Sequence, residues 1–198
     1  MYIQALVRIE EKNKMAVKNQ ILDMSPLGMI FTVLKSKGET DGKSLELEWE
    51  LLPQCNMVDP LYHVHPEAIE TYHILEGEME FYVKDKWIRA RKGDKLKVDI
   101  GVKHAFRNPS DKIVKVYNTH EPAFDMEDYF EDVCKVVELS KNRETNKVSM
   151  KNLKTLLLFG ALMKNYRKEI IAVSPPDILV RTLGAIAKVL GINYNKSH

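Results

Sequence analysis

Between Leu45 and Asn118 apolar and polar residues alternate in short runs separated by turn residues. Leu45, Leu47, Trp49 and Leu51 interleave with Glu46, Glu48 and Glu50. This is the period-two pattern of a strand with one face in a core. Met79, Phe81 and Val83 interleave in the same way with Glu78, Glu80 and Tyr82. Further strands are predicted over Ile3 to Ile9, Leu27 to Leu34, Trp87 to Ala90 and Ile113 to Asn118, the last with Val114, Val116 and Asn118 on one face, and Leu96 and Val98 flank the approach to Gly101. The punctuation between them is rich in glycine, asparagine and aspartate: Lys37 to Gly42, Glu76-Gly77-Glu78, Lys84-Asp85-Lys86, Arg91 to Asp94 and Asn108 to Asp111. Many short strands joined by such turns predict a mainly β architecture, a sandwich or barrel.

After Pro122 the period changes. Met126, Phe130, Val133 and Val137 recur at steps of three and four, predicting a helix from Met126 to about Leu139 that Asp125 can cap. A second helix is predicted from about Met150 to Lys168, capped by Ser149, with an apolar stripe through Leu153, Leu156, Leu157, Leu162 and Met163. Ser174-Pro175-Pro176-Asp177 starts a third, running to about Leu190 and stopped by Gly191. The chain thus divides into a β-barrel over residues 1–122 and a helical extension over 123–198. The extension's stripes predict packing on the barrel or on a second subunit.

Composition narrows the function classes. At 198 residues, 44% hydrophobic and 29% charged, the chain resembles ordinary soluble domains. A net charge of +2 carries no footprint for nucleic acid. Cys55 and Cys134 form no disulfide framework, the first ten residues lack a signal-peptide pattern, and Leu156 to Met163 is too short to span a bilayer. A cytoplasmic location is expected. Lys164, Arg167, Lys168, Arg181 and Lys188 flank the leucine-rich faces of the last two helices, as in membrane-surface helices. Internal or intersubunit packing is the preferred reading there, and a membrane surface is not an expected partner. No phosphate-binding glycine loop, nucleophile elbow or Cys-x-x-Cys occurs.

The candidate chemistry lies in two stretches. His63 and His65 share a strand face, Pro66 breaks that strand, and a new one presents Glu70, Tyr72 and Ile74 on one face before Gly77. Downstream, Gly93 and Gly101 precede His104, with Phe106 and Asn108 on the same face. His73, one residue out of phase with Glu70, points away from the others, and His120 and His198 have no partner pattern. Three imidazoles and one carboxylate suit one divalent transition metal ion, whether Fe, Mn, Ni, Cu, Co or Zn.

These stretches resemble the paired motifs of the cupin superfamily over roughly Leu45 to Asn118. The first motif is matched by His63, His65, Glu70 and Gly77, with Met57 in place of its leading glycine. The second is matched by Gly93, Gly101, His104 and Asn108, with Asp99 in place of its proline. The resemblance implies a single antiparallel barrel of the jelly-roll, double-stranded β-helix kind, a metal held by His63, His65, Glu70 and His104, and a homodimer. The inward row Leu47, Trp49, Tyr72, Met79, Phe81, Leu96 and Phe106 is expected to form an apolar substrate funnel over the metal. The expected activity is that of a metal-dependent, oxygenase-like enzyme on a small organic molecule. The alternatives are a non-catalytic binding or sensor protein and an isomerase-type enzyme.

Overall fold

In chain order the strands are β1 (Ile21–Met24), β2 (Met29–Lys35), β3 (Leu45–Leu51), β4 (Tyr62–Val64), β5 (Ile69–Glu76), β6 (Glu78–Val83), β7 (Lys86–Arg91), β8 (Lys95–Val98), β9 (His104–Arg107), β10 (Val114–Glu121) and β11 (Ile171–Ser174). The computed structural model describes residues 18–57 and 60–196, so the strand predicted over Ile3 to Ile9 lies outside the described residues. The strands form two antiparallel sheets, one in the order β1-β2-β3-β10-β5-β8 and the other β11-β4-β9-β6-β7. This is the mainly β, two-sheet arrangement of a double-stranded β-helix.

The alternation read in the sequence is the inside-outside pattern of the barrel. Every odd residue of β3 from Leu45 to Leu51 is buried, and so are Met79, Phe81 and Val83 of β6 and Glu70, Tyr72 and Ile74 of β5. The turn at Gly77 needs glycine twice over. Its φ is 81°, and a Cβ there would lie 3.1 Å from Val114 Cγ2 and 3.2 Å from the Ile113 carbonyl. Inside the barrel Trp49 stacks on Phe31 with ring centres 4.4 Å apart, and Tyr72 packs edge-on to Phe81 at 4.7 Å.

Three helices follow: α1 (Met126–Ser140), α2 (Leu153–Asn165) and α3 (Asp177–Val189). α1 lies on the barrel, where Phe130 meets Phe31 edge-on at 5.2 Å. α2 and α3 cross where Gly160 faces Gly184, so closely that a Cβ on Gly184 would lie 2.5 Å from the Gly160 carbonyl oxygen. The Tyr166 hydroxyl donates to Asp132 Oδ2 at 2.7 Å, tying the end of α2 to α1. No helix among the described residues is long and apolar enough to cross a membrane.

The extension departs from its predicted form in three places. Asp125 accepts from Lys37 Nζ at 3.2 Å instead of capping α1. α2 is capped by Asn152, whose side chain accepts from the Thr155 amide, and not by Ser149. The second helix ends at Asn165, before the predicted Lys168, and residues 171–174, for which the sequence pattern predicts no element, form β11, antiparallel to β4. The β-branched Ile170, Ile171 and Val173 favour an extended chain, and the prolines at 175 and 176 prevent a return to helix before Asp177.

Candidate metal centre

Three strands deliver the candidate ligands to one point inside the barrel. His63 lies in the middle of β4 and His65 one residue past its end, so both face inward. His104 opens β9 directly opposite His63, and Glu70 stands on β5 opposite His120 of β10. The donor atoms of His63, His65, Glu70 and His104 all lie within 4.8 Å of one another, and all four residues are buried. Glu70 Oε2 is 3.0 Å from His65 Nε2 and 2.9 Å from His104 Nε2.

Each ligand imidazole is held from behind. Nδ1 of His63 donates to the Leu61 carbonyl at 3.0 Å, Nδ1 of His104 to the Val102 carbonyl at 2.9 Å, and Nδ1 of His65 to the Glu169 carbonyl at 2.7 Å. A carbonyl only accepts, so these bonds put the proton on Nδ1 and leave Nε2 of the neutral ring free to coordinate. The third bond crosses from the barrel to the extension, just before β11. Asn118 donates to Glu70 Oε1 at 2.9 Å, and His120 Nε2 lies 3.3 Å from the same oxygen.

The charges are mutually adjusted. Burial alone would raise the Glu70 carboxyl, but His120, His65 and His104 around it hold it well below the usual carboxylate range. Burial and the neighbouring His104 and His65 push His63 well below the ordinary imidazole value. Burial outweighs Glu70 at His120 and lowers it, whereas at His65 the Glu70 carboxylate outweighs burial and raises it. The Tyr72 phenol is pushed up by burial and by Glu70.

This donor set fits a divalent transition metal. Two donors at right angles, each about 2.1 Å from one ion, stand about 3.0 Å apart. The Glu70–His65 and Glu70–His104 separations of 3.0 and 2.9 Å meet that spacing. The Nδ1 bonds to carbonyls are the outer partners that metal-bound imidazoles use.

His63, His65 and Glu70 form the floor of a cavity of about 350 Å³, with His120 beside them. Trp49, Phe106 and Phe31 wall it from the barrel, Met126 and Phe130 from α1, Met163 from α2 and Val180 from α3. Of the seven residues expected to form the funnel, only Trp49 and Phe106 line it. Leu47, Tyr72, Met79 and Phe81 are fully buried core, and Leu96 packs against that core. Alternation along a strand distinguishes inside from outside but not depth along the barrel, and these five fill the barrel away from its mouth. The roof of the cavity belongs to the helices.

His120, assigned no role by its sequence context, stands beside Glu70. The signal was present: Val114, Val116 and Asn118 set the inward phase of the strand, and one more step of two reaches His120. The Glu169 carbonyl left no trace in the sequence, because any residue can supply a backbone oxygen. A wider groove of about 650 Å³ between β1 and α1 contains none of the four donors.

Residues 49–120 match the family model of the cupin domain. No curated protein matches the chain. Among solved structures, it is similar to a Klebsiella pneumoniae protein with a double-stranded beta-helix domain, at 20% identity over 48% of this chain and 78% of that one, with a TM-score of 0.42. It is similar also to a Thermotoga maritima protein described as a predicted oxalate decarboxylase, at 24% identity over 48% of this chain and 80% of that one, with a TM-score of 0.44. A third is the cupin domain of an XRE-family transcriptional regulator from Enterobacter cloacae, at 20% identity over 48% and 96% of the two chains, with a TM-score of 0.40.

Proposed function

We propose that this chain, whose residues 49–120 carry a cupin domain, is a metal-dependent, oxygenase-like enzyme acting on a small apolar organic molecule. One observation carries the reading: three of the four clustered donors, His63, His65 and Glu70, form the polar floor of a cavity walled mainly by aromatic, methionine and aliphatic side chains. A volume of about 350 Å³ is small for a ligand pocket and suits a molecule of one or two rings.

The four donors would hold one ion, Fe, Mn, Co, Ni, Cu or Zn. Such an ion supplies a Lewis acid and, where redox-active, a centre for oxygen chemistry. Three neutral imidazoles and one carboxylate leave a divalent ion with a net charge of +1, which favours a ligand with an anionic oxygen at its head. Asn118 and His120 fix the Glu70 carboxylate, and the carbonyls of Leu61, Val102 and Glu169 fix the three rings. Trp49, Phe106, Phe31 and Phe130 take up the apolar body and keep water from the cluster.

A ligand-binding or sensor role without turnover is the second reading, and it too has an observation behind it. Among the described residues lining the cavity, the titratable groups outside the four donors are His120, which is engaged with Glu70, and Tyr129, whose hydroxyl faces Met163 Sδ at 3.7 Å. No independent base stands ready for proton abstraction, which also weighs against an isomerase-type reaction.

The test is reconstitution with each metal in turn, then oxygen uptake with a panel of catechol-like and flavonol-like compounds. Oxygen consumption that His104→Ala abolishes is expected with at least one redox-active metal. Spectral binding without uptake across all metals would replace the enzyme reading with the binding one. Unchanged metal content in a His65→Ala, His104→Ala double variant would sink both.

A further inference from the structure

The outer face of α3 plays no part in the site. The helix turns Val180, Gly184 and Ala187 inward. Its opposite side carries Ile178, Leu179, Ile186, Val189 and Leu190, exposed to 67%, 50%, 44%, 86% and 60%. At 100° per residue these five fall within an arc of about 120°. Leu153, at the start of α2, is 65% exposed as well. Isolated apolar residues on a surface mean little, but five on one helical arc, interrupted by Thr182, mark a contact.

The surrounding charge says with what. From residue 147 to residue 196 the chain has nine lysines and arginines against two acids, Glu169 and Asp177. Glu169 is buried, and Asp177 is paired with Arg167 at 2.9 Å. The net +7 of this segment is masked in the overall +2 by a net −5 elsewhere. Arg181 and Lys188 are exposed and, on the same helical count, lie together on one side of the apolar arc, about 60° and 80° from its edge. An antiparallel pairing of this face with a second copy would bring the cations of both copies to the same side of the contact. An anionic lipid surface satisfies both the apolar strip and the cations beside it.

We propose that this face of α3 docks the protein on anionic membranes. Its apolar side chains enter the headgroup boundary, and Arg181 and Lys188 meet the lipid phosphates. The experiment is co-sedimentation of the full-length protein with vesicles of phosphatidylcholine alone or with phosphatidylglycerol added, at low and high salt. Binding is expected only with the anionic lipid, and to weaken as salt rises. Each basic residue near such a surface contributes about fivefold in partition, so Arg181→Gln with Lys188→Gln should weaken binding about 25-fold. Ile178→Glu with Val189→Glu should abolish it, with melting temperatures unchanged because both side chains are exposed. Equal binding to neutral vesicles, no binding, or insensitivity to both double variants overturns the proposal. So does a dimer in light scattering that Ile178→Glu with Val189→Glu dissociates, which would identify a second copy as the occupant.

Discussion

At the scale of single residues, the centre depends on side chains that would not touch a metal. Asn118 donates to one oxygen of Glu70 and so aims the other at His65 and His104. Asn118→Leu keeps the volume and removes that hold. Outer partners of this kind are worth about 10- to 100-fold in metal affinity. Competition with a chromogenic chelator should show a loss of that size, with circular dichroism unchanged; native affinity in the variant would show that Glu70 needs no such support. The thiols provide a separate check on burial. Burial pushes both Cys55 and Cys134 up to about 12. A raised thiol pKa leaves the neutral, unreactive form at pH 8, with about one thiol in ten thousand ionised. A disulfide reagent at pH 8 should therefore react slowly with the native protein and titrate both thiols in urea. Rapid reaction of either in the native state would contradict its burial.

At the scale of elements, the strands were legible because alternation is a direct print of two-sided burial. The span of β3 was read residue for residue, and β5 was expected to begin where it does. The helix ends were less legible, since several residues near each start could cap, and tertiary partners such as Lys37 decided between them. β11 went unread because it has too few residues to show a period, and its pairing with β4 lies about a hundred residues away in sequence. The same limit applies to the site. The four residues whose donors cluster were legible at fixed offsets, whereas the cavity beside them is walled by helices whose position no local pattern encodes. The α2–α3 crossing tests that packing. Gly184→Ala would force its Cβ against backbone atoms of Gly160, and overpacking of this kind costs about 1–3 kcal/mol. For a chain of this length that lowers the melting temperature by about 2–10 °C. A variant melting with the parent would mean that the helices separate at no cost.

At the scale of the molecule, the extension is part of the centre. β11 adds an edge strand to the sheet that bears His63, the Glu169 carbonyl holds His65, and α1 to α3 roof the cavity. Deleting everything after Ser140 should expose the walls of the cavity and cause aggregation, and any soluble fraction should hold metal more weakly. A truncated protein that remains soluble, melts unchanged and binds metal as tightly would show that the barrel is self-sufficient. The 104 residues between His65 and Glu169 also impose an order in time. At about 5–20 residues per second, a ribosome needs about 5–20 s to travel from one to the other. From His104 onward the nascent chain has its three histidines but not the carbonyl that orients one of them. A chain whose synthesis stops before Glu169 would lack the bond that orients His65, and its four donors would hold an ion more weakly than those of the finished chain.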